Sequence, residues 1–231
     1  MIEAEWWEYD DAAEMAEAVG GDAAFVIESA LDARGDAIVA LPGGRTPAAA
    51  LQHMAKTRLK WRNVTIVPTD DRLVAVDHEA SNVRQLAGLF LPLGARVVPL
   101  TAGSLAPEAA GKAADARLQD LHWPLDLVWL GMGIDGHTAS IFPGKDLEAA
   151  LSGPQRAVGV TPSPLPADAP FARVTLTAHA IQSARAVMVS ITGAQKRKVL
   201  EQALEEGAGS ALPIGRVLAA ADLAIDIHWA P

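Results

Sequence analysis

Four short and almost continuously apolar runs constrain this chain more than any other feature: Ala37-Ile38-Val39-Ala40-Leu41, Val64-Thr65-Ile66-Val67, Leu125-Asp126-Leu127-Val128-Trp129-Leu130 and Ala186-Val187-Met188-Val189-Ser190-Ile191. A sheet with one wet face alternates apolar and polar residues. Unbroken apolarity over so short a run means burial on both faces, which is the situation of a parallel strand covered by helices above and below.

The segments between the runs supply those helices. Ala-rich, Glu-dotted sequence from Asp10 to about Arg34 predicts a helix, interrupted or bent at Gly20-Gly21, because two glycines in a helix interior cost about 2 kcal/mol relative to alanines. Further helices are predicted from Ala48 to about Lys56, with Thr46 as N-cap and Pro47 in the first helical position, from Ser81 to Leu91 with Ser81 or Asn82 as cap, from Pro107 to Leu121, and from Ala194 to about Glu206. Arg96–Leu100, Arg173–Thr177 and Leu223–Trp229 read as additional strands. Ser152–Pro170, with Pro154, Pro162, Pro164, Pro166 and Pro170, reads as an irregular surface excursion. The expected fold class is α/β, a mostly parallel β-sheet flanked by helices on both faces and Rossmann-like. With 231 residues, half of them hydrophobic, one domain over residues 1–231 is expected.

Composition removes several function classes. A formal net charge of -9 disfavours nucleic acid and anionic membrane surfaces, which are bound by clustered Lys and Arg. The absence of cysteine excludes disulfides, thiolate nucleophiles and Cys-based zinc sites, and no metal site is expected. No apolar run reaches the roughly 18 residues of a membrane span, and the acidic start Ile2-Glu3-Ala4-Glu5-Trp6-Trp7-Glu8 does not resemble a signal peptide. The expectation is a cytoplasmic protein, a monomer or small homo-oligomer, acting on a small molecule.

In a parallel sheet, polar chemistry collects beyond the strand C-termini. Polar clusters occur there at residues 42–47, 69–72 and 131–144. The last has the spacing G-x-G-x-x-G in Gly131, Gly133 and Gly136. A dinucleotide turn would need a helix opening at the third glycine and an acidic residue about 20 positions on at a strand end. Pro143-Gly144 limits any helix to about a turn, and Gly153-Pro154-Gln155-Arg156 occupies the second position, so no dinucleotide site is expected. The glycines instead allow the backbone close to a ligand and place Asp135 and His137 at the mouth of the sheet. His137 is therefore a candidate general base, distinguished from His53, His78, His122, His179 and His228 by convergent polar company. Gly43-Gly44-Arg45-Thr46-Pro47 is an ordinary strand-to-helix turn by its residue types, or an anion cradle of backbone N–H groups, the Thr46 hydroxyl and the Arg45 guanidinium. Asp70-Asp71-Arg72 is a solvated turn or a substrate-orienting cluster. Arg173, opening a strand, and Lys196, opening a helix, are surface charges or phosphate partners.

Taken together these stretches resemble the 6-phosphogluconolactonase family: Pro42-Gly43-Gly44-Arg45-Thr46-Pro47, Asp70-Asp71-Arg72 with Ser81-Asn82 downstream, residues 131–144, Arg173-Val174-Thr175-Leu176-Thr177 and Gly193-Ala194-Gln195-Lys196, in the family's order and at similar spacing over nearly the whole chain. The resemblance implies the α/β fold shared with glucosamine-6-phosphate deaminases. It also implies hydrolysis of 6-phospho-D-glucono-1,5-lactone in the oxidative pentose phosphate pathway, without an organic cofactor. Asp71 stands where the family usually has Glu, and Val74-Ala75 where Val-Pro is common. A deaminase loop continues toward Asn-Glu-Pro-Gly with a carboxylate, whereas this chain has Ser140-Ile141-Phe142-Pro143-Gly144, which favours the lactonase.

On that reading His137 is the base, and must act as the neutral imidazole, the dominant form of an ordinary histidine at pH 7. Asp135 or Asp70 holds its tautomer, and Arg72 stabilises the oxyanion or binds the lactone oxygens. The phosphate rests on Gly43, Gly44, Arg45 and Thr46, with Arg173 and Lys196 closing over it. The alternatives are a deaminase or isomerase of sugar phosphates and a non-catalytic sugar-phosphate sensor.

Overall fold

The computed structural model describes residues 2–101, 105–167, 169–219 and 224–231. The strands are β1 (Glu5–Glu8), β2 (Ala37–Leu41), β3 (Val64–Pro68), β4 (Asp70–Arg72), β5 (Arg96–Val97), β6 (Leu127–Leu130), β7 (Ala157–Val160), β8 (Arg173–Leu176), β9 (Val187–Thr192) and β10 (Ile225–Ala230). The α-helices are α1 (Ala12–Arg34), α2 (Ala48–Ala55), α3 (Asn82–Phe90), α4 (Pro107–Gln119), α5 (Leu147–Ser152), α6 (Ala178–Gln182), α7 (Ala194–Glu206) and α8 (Pro213–Leu218).

Seven strands form one parallel sheet in the order β1-β10-β9-β6-β2-β3-β5. Its apolar runs divide by alternation between two cores. Ile38, Ala40, Val67, Val128, Leu130, Val187 and Val189 face one, with Leu118 of α4, Ile181 of α6, Leu200 of α7 and Val217 of α8. Ala37, Val39, Leu41, Val64, Ile66, Leu127, Trp129 and Met188 face the other, with Ile27 of α1, Leu51 and Met54 of α2 and Phe90 of α3. Continuous apolarity thus has the expected cause, a sheet with no wet face at its centre.

Several local expectations are corrected. Helix α1 runs uninterrupted through Gly20-Gly21, capped by the Asp11 carboxylate, which accepts from the N–H groups of Ala13 (2.8 Å) and Glu14 (2.9 Å). A Cβ on Gly20 would lie 2.6 Å from the Ala50 carbonyl oxygen and 2.8 Å from the His53 Cβ. The glycine is there to let α1 lie close against α2, and that packing outweighs its low helix propensity. Thr46 does not cap α2: Pro47 holds the cap position and Ala48 is the first helical residue. Strand β5 is shorter than the predicted Arg96–Leu100, and β1 was not anticipated. The last strand is described from Ile225, and Leu223, where it was expected to begin, lies outside the described residues.

The largest correction is a second sheet. Asp70–Arg72 is strand β4 rather than a turn, paired antiparallel with β8, which in turn pairs with β7 inside the stretch expected to be irregular. Thr69 joins the two sheets, its N–H donating to the Leu41 carbonyl (3.0 Å) and its carbonyl accepting from the Leu176 N–H (2.9 Å).

His228, on β10, also has more polar company than its sequence context suggests. The ring is buried, stacks on Tyr9, and places Nδ1 2.8 Å from the Tyr9 hydroxyl. Burial pushes the imidazole below its ordinary pKa against the opposing pull of Asp22 and Asp226, and pushes the Tyr9 phenol up to about 12, with Asp22, Glu14 and Asp226 adding to that rise. A histidine held neutral in the fold binds its proton more readily in the unfolded chain, so stability is complete above the unfolded value of about 6.5 and declines as pH falls below it. The thermal midpoint is expected to drop between about pH 7.5 and about pH 5.5, and His228→Gln to remove part of that slope. Identical pH profiles for the two proteins would show that His228 does not carry it.

Candidate active site

Strands β2 and β6 are neighbours at the centre of the sheet. From β2 the order runs outward through β3 and β5; from β6 it runs the other way through β9, β10 and β1. The loops that leave their C-terminal ends therefore part in opposite directions, which opens the crevice where α/β sheets bind ligands. The loop after β2 is the 42–47 turn, and the loop after β6 is the glycine loop. The next strand, β9, ends in Gly193 and α7, whose first turn carries Lys196.

The glycine loop contains no helix before α5, in line with the rejection of a dinucleotide turn. It is a folded-back turn, closed by the Gly133 N–H on the His137 carbonyl (2.9 Å) and the Gly136 N–H on the Gly133 carbonyl (3.0 Å). Within it, His137 Nδ1 lies 2.5 Å from Asp135 Oδ1, and the His137 ring stacks on Phe142 with centroids 4.2 Å apart and planes 24° from parallel. A carboxylate only accepts, so in the neutral ring Nδ1 carries the proton and Nε2 presents its lone pair. Among the described residues no hydrogen bond engages Nε2, and the side chain is partly open to solvent. Gly133 is required by this arrangement, because a Cβ there would fall 2.3 Å from the imidazole and 2.6 Å from Asp135 Oδ1.

The far end of the loop is fixed to the second sheet. Ser140 donates its hydroxyl to Asp70 Oδ2 (2.5 Å) and its N–H to the Thr175 hydroxyl (3.1 Å), while the Thr138 hydroxyl donates to the Gly131 carbonyl (2.8 Å). Ala139, between these buried anchors, has φ 48°, a conformation uncommon outside glycine and held here by the bonds on either side. Arg173 is buried beside Asp70 (3.8 Å), donates to the Ala169 carbonyl (3.1 Å), and lies 5.4 Å from the Phe142 ring centroid.

The Asp70-Asp71-Arg72 cluster divides its duties. Asp70 serves Ser140, Arg173 and Asn82 rather than His137, so of the two carboxylates offered as tautomer holder the geometry selects Asp135. Asp71 is fully buried and binds the start of α3, accepting from the N–H groups of Asn82 (2.7 Å) and Val83 (3.2 Å) and from the Ser81 hydroxyl (3.1 Å). Burial raises its pKa against the pull of those bonds. The residue at which the chain departs from the usual Glu is thus engaged in capping a helix. Arg72 donates through NH1 to Asn82 Oδ1 (2.6 Å) and the Ala80 carbonyl (3.0 Å).

Of the anion candidates, Arg45 and Thr46 are exposed on their turn. The Gly44 N–H is not free, since it donates to Gln85 Oε1 at 2.7 Å. Lys196 is half-buried, and burial alone pushes its pKa down, a cost that an adjacent anion would relieve. Sequence reasoning missed Ser140, Phe142 and Gln85 as contributors; of the two caps it offered, Ser81 or Asn82, Ser81 caps α3 and Asn82 points at β4. Phe142 carried the one available signal, a lone aromatic five residues beyond the histidine in a glycine loop. Among the described residues no three His, Cys, Asp or Glu side chains converge as metal ligands would.

Known proteins resemble this chain over nearly its whole length. A family model described as glucosamine-6-phosphate isomerases/6-phosphogluconolactonase matches residues 10–229. The chain belongs to this family. A member from Rhizobium meliloti (strain 1021), named 6-phosphogluconolactonase, is 37% identical over 96% of this chain and 97% of its own. A namesake from Neisseria meningitidis is 35% identical over 92% of this chain and 93% of its own. Among solved structures, a 6-phosphogluconolactonase from Shewanella baltica superposes with a TM-score of 0.91 at 32% identity, covering 99% of this chain and 98% of that one. One from Trypanosoma brucei gives a TM-score of 0.85 at 25% identity, with 100% and 97% covered.

The family's description spans two chemistries. In this member Ser140 is spent on Asp70 and Phe142 on the imidazole, and residues 140–144 include no carboxylate that could serve a ring-opening step.

Proposed function

We propose that this family member hydrolyses 6-phospho-D-glucono-1,5-lactone to 6-phosphogluconate, the second step of the oxidative pentose phosphate pathway. The observation that carries this reading is a histidine pinned by Asp135 at Nδ1 and by Phe142 on its face, in the loop beside the switch point of the sheet. The named relatives support the substrate.

In this reading Nε2 of His137 accepts a proton from a water whose oxygen attacks the lactone carbonyl carbon. The negative charge that collects on the carbonyl oxygen falls to Arg72, whose guanidinium is fixed in place by its NH1 bonds, as an oxyanion donor has to be. Collapse of the tetrahedral intermediate breaks the bond from the carbonyl carbon to the ring oxygen. The proton held on Nε2 passes to that oxygen, leaving a carboxylic acid that ionises and a free hydroxyl. The phosphate, bound by Arg45, Thr46 and Lys196 with Arg173 behind them, orients the carbonyl and so affects turnover as well as affinity. Gly43 and Gly44 shape that turn. The acidic, cysteine-free sequence supports a cytoplasmic enzyme with no nucleic-acid partner, and we propose that it works as one domain over residues 1–231, in a monomer or small homo-oligomer.

The test uses the purified protein with two substrates. Acid release from 6-phosphogluconolactone well above its spontaneous rate, with no ammonia released from glucosamine 6-phosphate, is the expected result. Ammonia release would identify a deaminase, and 6-phosphogluconate binding without turnover of the lactone would identify a sensor.

A further inference from the structure

Helix α3 reaches the 42–47 turn with two side chains one helical turn apart, Asn82 and Gln85, which residues at that spacing present on one face. Asn82 is buried against Gly43, where a Cβ would lie 2.3 Å from its Oδ1. Gln85 grips the next residue from both sides: its Oε1 accepts from the Gly44 N–H at 2.7 Å, and its Nε2 donates to the Gly44 carbonyl at 3.0 Å. Gly44 has φ +104°, a conformation that L side chains rarely adopt, so glycine is needed there and brings with it the widest backbone freedom of any residue. A turn so free binds an anion poorly unless something orders it beforehand. A carboxamide both accepts from an N–H and donates to a C=O through one planar group, at any ordinary pH.

We propose that Gln85 is a positioning residue for the substrate's phosphate: by clamping the Gly44 backbone it fixes the turn that presents Arg45 and Thr46. The inference rests on the reading of that turn as the phosphate site. It also reassigns Gly44, whose N–H belongs to Gln85 and is withdrawn from the anion's donors. The same turn of α3 reaches the chemical side of the site, because Asn82 binds Arg72 and donates Nδ2 to the Asp70 carbonyl at 2.8 Å. Phosphate turn and Asp70–Arg72 strand are therefore held in register by one helix.

The experiment compares kcat and KM for 6-phosphogluconolactone and for unphosphorylated glucono-1,5-lactone in the wild type, Gln85→Met, Gln85→Glu and Arg45→Ala. Methionine keeps the length and loses both hydrogen bonds; glutamate keeps an acceptor, loses the donor and adds a charge that repels the Gly44 carbonyl and the phosphate. Loss of two ordinary hydrogen bonds predicts a fall in kcat/KM of roughly tenfold for the phosphorylated substrate, mainly through KM, and a several-fold smaller fall for the unphosphorylated one. Glutamate is expected to be at least as selective in its damage, and serves as the reading should the methionine variant fail to fold. Selective loss in Arg45→Ala with equal or no loss in the Gln85 variants would overturn the role of Gln85 alone. An Arg45→Ala variant that loses both substrates equally, or neither, would overturn the phosphate turn itself and the inference with it.

Discussion

Replacing His137 with alanine is expected to lower lactone turnover by roughly two to four orders of magnitude, the scale of a lost general base, while leaving the fold in place. The ring is only partly buried and its partners, Asp135 and Phe142, belong to its own loop. What ties that loop to the rest of the protein lies elsewhere, in Ser140 on Asp70 and Thr175 and in the Gly136 carbonyl, which accepts from the Ile214 N–H at 2.9 Å. Truncation at 137 therefore removes the proposed base and spares the scaffold. Rates must be corrected for spontaneous opening of the lactone, and KM should change less than kcat, because the proposed phosphate site is built from other residues. Turnover within a few-fold of wild type would remove His137 from the chemistry.

Gly133→Ala is expected to approach the same loss without replacing any ionisable group. A methyl at 133 would lie 2.3 Å from both Cε1 and Nδ1 of His137 and 2.6 Å from Asp135 Oδ1, so the pair must separate or swing away. The atoms it meets are side-chain ends free to move, so the stability cost is small. The displacement, however, falls on the two groups whose relative position defines the base, and a misplacement of about 1 Å at a reacting centre can cost around a hundredfold in rate. Circular dichroism and thermal midpoint near wild type, together with that loss of kcat, are the expected pair of results. A variant that unfolds would assign Gly133 to the scaffold; one that stays active would show that the imidazole does not need its present seat.

The contrast between Gly133 and Gly20 indicates what a sequence makes legible. Both glycines are explained by what stands next to them in space, an imidazole for one and the backbone of α2 for the other, but only the first neighbour is near in sequence. Propensity therefore predicted an interruption or a bend at Gly20-Gly21, and packing against α2 keeps the helix uninterrupted there. Strands β2, β3, β6 and β9 were legible because burial on both faces writes itself as unbroken apolarity. Strand β4 was not, since its three residues, Asp-Asp-Arg, have the composition of a turn and become a strand only by pairing with β8 about a hundred positions on. The same distance hid the contacts that hold the site together: Ser140 to Asp70 spans 70 positions and Gln85 to Gly44 spans 41. His137 with Asp135 was readable because their pairing is local, two residues apart within a single turn.

These geometries combine into one claim, that the crevice beside β2 and β6 holds the phosphate at the 42–47 turn and the reacting carbon at His137. A crystal structure of the protein with 6-phosphogluconate tests it most directly. The account predicts the phosphate on Arg45, Thr46 and Lys196, the Gly44 N–H still on Gln85, and a product carboxylate oxygen within about 3.2 Å of His137 Nε2. A product bound with its phosphate on the glycine loop, or with its carboxylate far from His137, would contradict it.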